Sequence, residues 1–277
     1  MTFEFDGKQY ELASAHQTSW GERMVELLPL RGTERVLDIG CGDGRVTQKL
    51  AIRVPRGEVV GIDASIGMIT AAREYESDNL RFEVLSVNKL HFHEQFDVVF
   101  SHAALHWVTD HTILLQKVYE ALRMGGYARL NFAGNGACPK LIKVISEVMA
   151  QEAYAMIFEK FVWPWYMPSA IEYQDVLSQS PFQDVEVQEE YMERLFPSAD
   201  PLVKWIDQPC LVPFLAVVND KQEFRDMVIQ RMIQETGQPQ GGFLEVFCRL
   251  DVIAKKGEMP NHAMRTDRNS AAHHSRR

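Results

Sequence analysis

Cysteine is scarce in this chain, and its spacing is unhelpful for bridging: four residues, at 41, 138, 210 and 248. A zinc site or a disulfide framework needs closely spaced ligands or an evident pairing pattern, so neither is expected. Long apolar runs are missing as well, with nothing near the roughly 20 residues of a spanning helix. Positive charge is in the minority, 29 Lys and Arg against 38 Asp and Glu, for a net charge of −9. A nucleic-acid partner calls for a clustered basic surface that displaces counterions from phosphate. The expectation is therefore no nucleic acid and no membrane partner. The opening residues Met1-Thr2-Phe3-Glu4-Phe5-Asp6 lack the basic start and apolar core of a secretory signal. Unpaired thiols without an export signal give an expected cytoplasmic location. Internal repeats are not visible.

What is present is ordinary globular material, 277 residues with 46% apolar and 24% charged side chains, enough for one α/β domain with an elaboration. The informative stretch is Val36-Leu37-Asp38-Ile39-Gly40-Cys41-Gly42-Asp43-Gly44. Apolar residues lead into alternate glycines, and the periodic segment Arg45 to Arg53 follows, which predicts a buried strand, a tight turn and a helix. Glycine is required where backbone takes positive φ or approaches a ligand closely. A dinucleotide fingerprint, G-x-G-x-x-G, would place its third glycine at position 45, which is Arg45. Here the third is Gly44, and Asp38 stands two residues before the first. A carboxylate at the mouth suits a cationic or amine-bearing ligand better than a pyrophosphate. A purely structural turn is the competing reading.

A second apolar strand, Glu58 to Asp63, ends in an acid about 20 residues after the glycines, where an α/β sheet presents a carboxylate to ribose hydroxyls. Ala64-Ser65 opens a helix through Met68, Ile69, Ala72 and Arg73. A third strand spans Arg81 to Leu85, and a fourth runs from Phe96 to Phe100 and ends at Ser101. Alternation of this kind implies a parallel sheet with right-handed crossovers and a ligand crevice at the strands' carboxyl ends.

VLDIGCGDG, the acid-ended GIDAS, SHAALHWV at 101–108 and ALRMGG at 121–126 together resemble the motif series of class I S-adenosylmethionine-dependent methyltransferases. More narrowly, the chain is similar to the trans-aconitate methyltransferase-like group and, more distantly, to juvenile hormone acid methyltransferases. The likeness runs from about Tyr10 to Lys255 and includes Gln17-x-x-Trp20-Gly21, the HWV run and Trp205-Ile206. It implies an α/β fold, a Rossmann-like, mostly parallel sheet with helices on both faces and a helical cap over the substrate site. By the same resemblance Asp38, Gly40, Cys41, Gly42 and Gly44 line the methionine end of the cofactor, and Asp63 holds its ribose. Ala64 and Met68 flank the adenine. The family often carries an acid after the third strand; here that position is Ser86, followed by Val87-Asn88. Ser101 completes the expected cofactor set.

The expected organisation is an N-terminal helical cap over 1–30, a cofactor-binding half over 31–135, a substrate-cap insertion with closing strands over 136–256, and a disordered tail over 257–277. Thr18 or Ser19 is placed to N-cap a helix carrying Met24, Val25, Leu27 and Leu28. Val118 to Met124 reads as helix stopped by Gly125-Gly126, and Tyr127 to Phe132 as the fifth strand. Cys138 to about Phe161 has one long helical pattern. Ser169 with Glu172 forms a capping box. Asp184 to Tyr191 alternates as a strand, Leu202 to Val218 and Phe224 to Ile233 are helical, and Phe243 to Ala254 is the last strand.

Methyl transfer from a sulfonium is an in-line displacement, so alignment dominates and can lower a barrier by roughly 7–11 kcal/mol. A base is needed only when the nucleophile carries a proton, and a carboxylate, pKa about 4, does not. His102, His106 and His111 invite a metal reading, which the missing H-E-x-x-H form and cysteine pair disfavour, so no metal is expected. His106 is either a substrate contact or a packed histidine, and Trp107 a pocket wall or core. The aromatic run Phe161, Trp163, Trp165 and Tyr166 either roofs the pocket or fills core; Trp163 and Tyr166 are its substrate candidates, together with Trp20. Arg249, alone among apolar neighbours, binds a substrate carboxylate or pairs with a nearby acid, the acid being favoured. In the acid methyltransferases that this chain resembles, a cap glutamine and the tryptophan of the HW pair hold the acceptor carboxylate, which points to Gln17 and Trp107. The expected activity is methylation of a small molecule, a carboxylate oxygen first, by a monomer or homodimer. The rivals are a phenol or amine acceptor with His106 as base, an arsenical that would need a cysteine cluster, a cofactor-binding protein without catalysis, and a dehydrogenase that the misplaced glycine disfavours.

Overall fold

The computed structural model describes residues 4–5 and 15–257. The expected cap over 1–30 is thus seen only in part, and the expected tail, apart from Gly257, lies outside the described residues. Helix α1 (Ala15–Glu26) comes first, followed by β1 (Arg35–Ile39), α2 (Arg45–Arg53), β2 (Glu58–Asp63), α3 (Ile66–Ala72), β3 (Leu80–Val84) and β4 (Phe96–His102). Then come α4 (His111–Ala121), β5 (Leu122–Ala133), α5 (Pro139–Met149), α6 (Glu152–Phe158), α7 (Ala170–Ser178) and β6 (Gln183–Phe196). The chain closes with α8 (Ala199–Trp205), the short α9 (Val212–Leu215), α10 (Lys221–Thr236) and β7 (Phe243–Lys255).

The seven strands form one sheet in the order β3-β2-β1-β4-β5-β7-β6. β1 to β5 pair in parallel, with Leu37 opposite both Val60 and Val99; β7 joins β5 antiparallel and β6 joins β7 antiparallel. Strands covered on both faces need apolar side chains on both, which explains the near-continuous Val and Leu of β1, β2 and β4. Leu37, Ile39, Val60 and Ile62 pack with α4 residues Leu114, Leu115 and Val118 on one face. Val36, Val59 and Val98 pack with Met24, Val25 and Leu50 on the other. A third core joins α5, α6, α8 and α10 through Leu141, Phe158, Trp205 and Phe224. The strand order reverses between β1 and β4, where a doubly wound sheet opens its ligand crevice.

Several boundaries differ from the sequence reading. α1 already runs from Ala15, so Thr18 and Ser19 lie inside it and cap nothing; Trp20, Met24 and Val25 are buried while Leu27 is exposed. α4 ends at Ala121, and Leu122, buried against Phe96, starts β5, so Gly125 and Gly126 lie within a strand rather than stopping a helix. The long helical pattern breaks at Gln151, which is extended (φ −67°, ψ 150°), into α5 and α6. The segment after α8 kinks at Gln208. β6 extends to Phe196 because β7 pairs with it along its length. The capping box of Ser169 and Glu172 forms as expected at α7.

Candidate active site

A cavity of about 310 Å³ lies across the carboxyl ends of β1 to β5 and under α5 and the segment after α8. One half is built by loops that follow β1, β2 and β3. Gly40 sits at φ 72°, and a Cβ there would collide with the Ala104 Cβ, so the β1 and β4 loops close on each other only through glycine. Gly42, at φ 56°, has open space where its Cβ would point, and it lines the cavity. The Asp38 side chain is buried, with its Oδ2 accepting from the Thr47 hydroxyl at 2.7 Å. Burial, with the neighbouring charge of Asp63, pushes its pKa from 3.8 up to about 7, against the pull of the Thr47 hydrogen bond. Burial likewise raises Asp63 and the Cys41 thiol. Asp63 accepts from the Gly42 amide through one oxygen (3.1 Å) and from the Ser65 amide through the other (2.9 Å). Each carboxylate oxygen keeps a second acceptor site. Met68, Ser86, Val87 and Asn88 continue this wall. Glu4 accepts from the Ser65 hydroxyl, and the Phe5 ring meets Trp107 edge-on at 5.6 Å, so residues 4–5 cross from one half of the cavity to the other.

The other half rests on β4, β5 and β7. Arg249 of β7 is buried; its Nε donates to Asn131 Oδ1 at 2.5 Å, its Nη2 lies 3.4 Å from His102 Nδ1, and its guanidinium stacks 4.6 Å from the Trp20 ring centre. Asn131, His102 and Trp20 are its described partners on this wall. His102 Nε2 lies 2.9 Å from the Gln17 main-chain carbonyl, which fixes the proton on that nitrogen and leaves Nδ1 to accept from Arg249. His111 bridges the Leu105 carbonyl and the Tyr173 hydroxyl, away from the cavity. Burial and the Arg249 charge drive His106 down to about 3, so its ring is neutral at pH 7. Among the described residues no group of three or more His, Cys, Asp or Glu is placed to hold a metal.

Most sequence candidates meet here. Gln17, His106 and Trp107, the cofactor candidates Asp38, Gly40, Cys41, Gly42, Asp63, Ala64, Met68, Ser86 and Val87, and Trp20 and Arg249 all line the cavity. Four do not. Gly44 faces inward, where a Cβ would press on Ala72 and Phe82 at 2.9 Å. The Ser101 hydroxyl is spent on the Ile39 carbonyl at 2.6 Å. Trp163 packs on Trp165 and Phe214, and Tyr166 packs on His111 at 4.6 Å. Sequence reasoning missed Thr18, Cys138, Leu141, Met167, Trp205, Cys210, Phe247 and Cys248, and left Trp165 as either roof or core. Three side-chain atoms on the cavity residues are buried without a hydrogen-bond partner: Gln17 Oε1, His106 Nδ1 and Trp165 Nε1.

A methyltransferase-domain family model matches residues 36–126. The trans-aconitate 2-methyltransferase of Deinococcus radiodurans is 29% identical over 91% of this chain and 98% of its own length. That of Mycobacterium tuberculosis is 27% identical over 91% and 97%. Among solved structures, the YcgJ protein of Bacillus subtilis superposes with a TM-score of 0.59 at 17% identity, covering 88% of this chain and 99% of that one. A Haemonchus contortus phosphoethanolamine N-methyltransferase 2, solved with S-adenosyl-L-methionine, gives 0.57 at 19% identity, covering 90% of this chain and 56% of that one. These two likenesses concern the fold. The residues present fit the cofactor: Gly42 leaves a hollow that any Cβ would fill, Asp63 keeps acceptor sites for two hydroxyls, and Asp38 offers a carboxylate to an ammonium. From its glycine loop to its strand order, the chain is a class I S-adenosylmethionine-dependent methyltransferase, similar to the trans-aconitate methyltransferase-like group.

Proposed function

We propose that this enzyme transfers the methyl group to a carboxylate oxygen of a small organic acid. The observation that carries the reading is buried Arg249 on the cavity wall beside His106, which among the described lining residues is the imidazole placed as base candidate and is held neutral. Arg249 brings positive charge to the cavity wall, whereas His106, at about 3, holds a proton too weakly to draw one from a phenol or an ammonium at neutral pH. A carboxylate needs no such help, because it is already ionised. S-adenosylmethionine, when bound, supplies an electrophilic methyl on a sulfonium.

This chain's own residues then bind, orient and exclude water. Asp38 and the loop from Gly40 to Gly42 hold the methionine end, Asp63 the ribose, and Ala64, Met68, Ser86, Val87 and Asn88 the adenine. Gln17 and Trp107 align the acceptor carboxylate. The buried amide position of Gln17 presents either an oxygen or, after a half-turn of the amide, an N–H. Neutral donors orient an anion without quenching it, which a tight salt bridge would do. Trp20 stacks on Arg249 and fixes its guanidinium. The curated relatives named for trans-aconitate support an acid acceptor. With a net charge of −9 the acceptor is a small molecule rather than a nucleic acid, and the enzyme acts in the cytoplasm as a monomer or homodimer. No described helix is long and apolar enough to cross a membrane.

The test is product chemistry. Incubation with a panel of acids, phenols and amines should yield methyl esters, recognised by mass and by cleavage in mild alkali. Alkali-stable ethers or methylamines as the sole products would overturn the reading.

A further inference from the structure

We propose that the acceptor is a monocarboxylic acid with an apolar or aromatic body, its carboxylate held in part by the indole of Trp165, and not a polycarboxylate. The inference rests on the carboxylate reading above and narrows it. Three observations converge on it.

The first is charge. Of the described residues that line the cavity, Arg249 alone is Lys or Arg. His102 is pushed well below its ordinary pKa by burial and by Arg249, and His106 down to about 3, so neither adds a cation. The second and third carboxylates of a polycarboxylate would meet no further Lys or Arg among the described lining residues, and an uncompensated buried charge is strongly disfavoured.

The second is the wall. Trp107, Trp165, Trp205, Leu141, Met167 and Phe247 surround the acceptor half. Their side chains belong to the third core or pack against it. Such a surface gains from apolar area and gives nothing to carboxylates beyond the first.

The third is Trp165 itself. It is 9% exposed, and its Nε1 is buried without a partner at the cavity wall. An indole N–H is a donor only, and a ligand oxygen reaching this wall would satisfy it. Edge-to-face contacts with Trp107 (5.8 Å), Trp163 (5.4 Å) and Phe214 (5.7 Å) hold the ring, which makes the donor an oriented one. His106 Nδ1 is a second unmatched atom at the same wall.

The experiment measures kcat/KM for methyl ester formation by the full chain on octanoate and phenylacetate against trans-aconitate and citrate. The monocarboxylates should lead by about 100-fold or more, the range a site achieves when a wrong ligand leaves buried polar groups unmatched. Trp165→Phe keeps the ring and loses the donor; it should lower kcat on the preferred acid about 10–100-fold. S-adenosylhomocysteine affinity and melting temperature should stay at wild-type values, which separates this role from a structural one. Higher kcat/KM on trans-aconitate or citrate would overturn the inference while leaving carboxylate methylation standing. Ester formation from none of the acids, with S-adenosylhomocysteine still binding, would remove both. Trp165→Phe turning over at the wild-type rate would remove the indole from the site.

Discussion

Replacing Asp38 by Asn should stabilise the cofactor-free protein and weaken cofactor binding at the same time. The carboxyl is buried, and its pKa is carried from 3.8 to about 7. At about 1.36 kcal/mol per pH unit, keeping it ionised inside the cofactor-free protein costs roughly 4 kcal/mol. The folded pKa lies above the unfolded one, so between pH 4 and 7 the folded state holds more protons. Stability contributed by this group is therefore largest at low pH and is lost as pH rises through about 7. Asn carries no charge to bury and can still accept from the Thr47 hydroxyl that now meets Asp38 Oδ2. Even if half the cost is recovered by relaxation, the variant should melt about 4–8 °C higher than wild type at pH 8, at about 2–4 °C per kcal/mol for a chain of this size. Only below about pH 4 should the two nearly coincide. Binding runs the other way. An ammonium beside Asp38 draws the carboxylate form, so wild-type affinity for S-adenosylhomocysteine should fall as pH drops from 8 to 6. The Asn variant should bind about 10–100-fold more weakly at pH 8 and show little of that pH dependence. Melting curves of the apo protein and calorimetry across that range supply both readouts. A variant that melts below wild type at pH 8, or a wild-type affinity flat in pH, would refute the reasoning.

Asp63→Ala should weaken cofactor binding by about 1.5–3 kcal/mol, the worth of charge-assisted hydrogen bonds, and NAD should not bind the wild type; calorimetry reads both. Gly40→Ala should lower the melting temperature by several degrees, because its Cβ would strike Ala104. Gly42→Ala, with open space around its Cβ, should cost only about 1 kcal/mol of backbone strain yet lose cofactor affinity. Gln17→Ala and Trp107→Phe should each lower turnover on an acid by one to two orders of magnitude with cofactor affinity kept, a result that single-turnover kinetics distinguishes from a binding defect.

The cofactor half was readable because its signals are local. Strand, glycine turn and helix follow one another from Val36 to Arg53, and Asp63 ends the next strand, so sequence distance and spatial order coincide. The acceptor half is assembled differently. Trp165, Cys210 and Arg249 come from segments far apart in the chain and meet only after α5 to α10 pack. A lone indole N–H carries no sequence mark of being unsatisfied. Boundary errors have a similar origin. Leu122 continues a helical pattern yet is captured by the edge of β4, and Gln151 breaks a helix with no glycine or proline beside it. Thr18 and Ser19 are good capping residues, but α1 begins upstream of them. Pairing and packing across the molecule overrode local preference at each of these places.

The sheet order β5-β7-β6 has a consequence for synthesis. A ribosome releases β5 early and β6 some 50 residues later, but the strand that belongs between them, Phe243–Lys255, is the last described element to emerge. Until then the edge of β5 offers unpaired amides and carbonyls to any passing strand. Residues 36–126 can meanwhile close around their glycine loop, because β1 to β5, which pair with one another in parallel, have been made. Arg249 is delivered by that same final strand, opposite Ala133. The nascent enzyme thus acquires its cofactor cradle first and its acceptor charge last. A chain terminated before residue 243 would keep the first and carry a raw, aggregation-prone edge in place of the second.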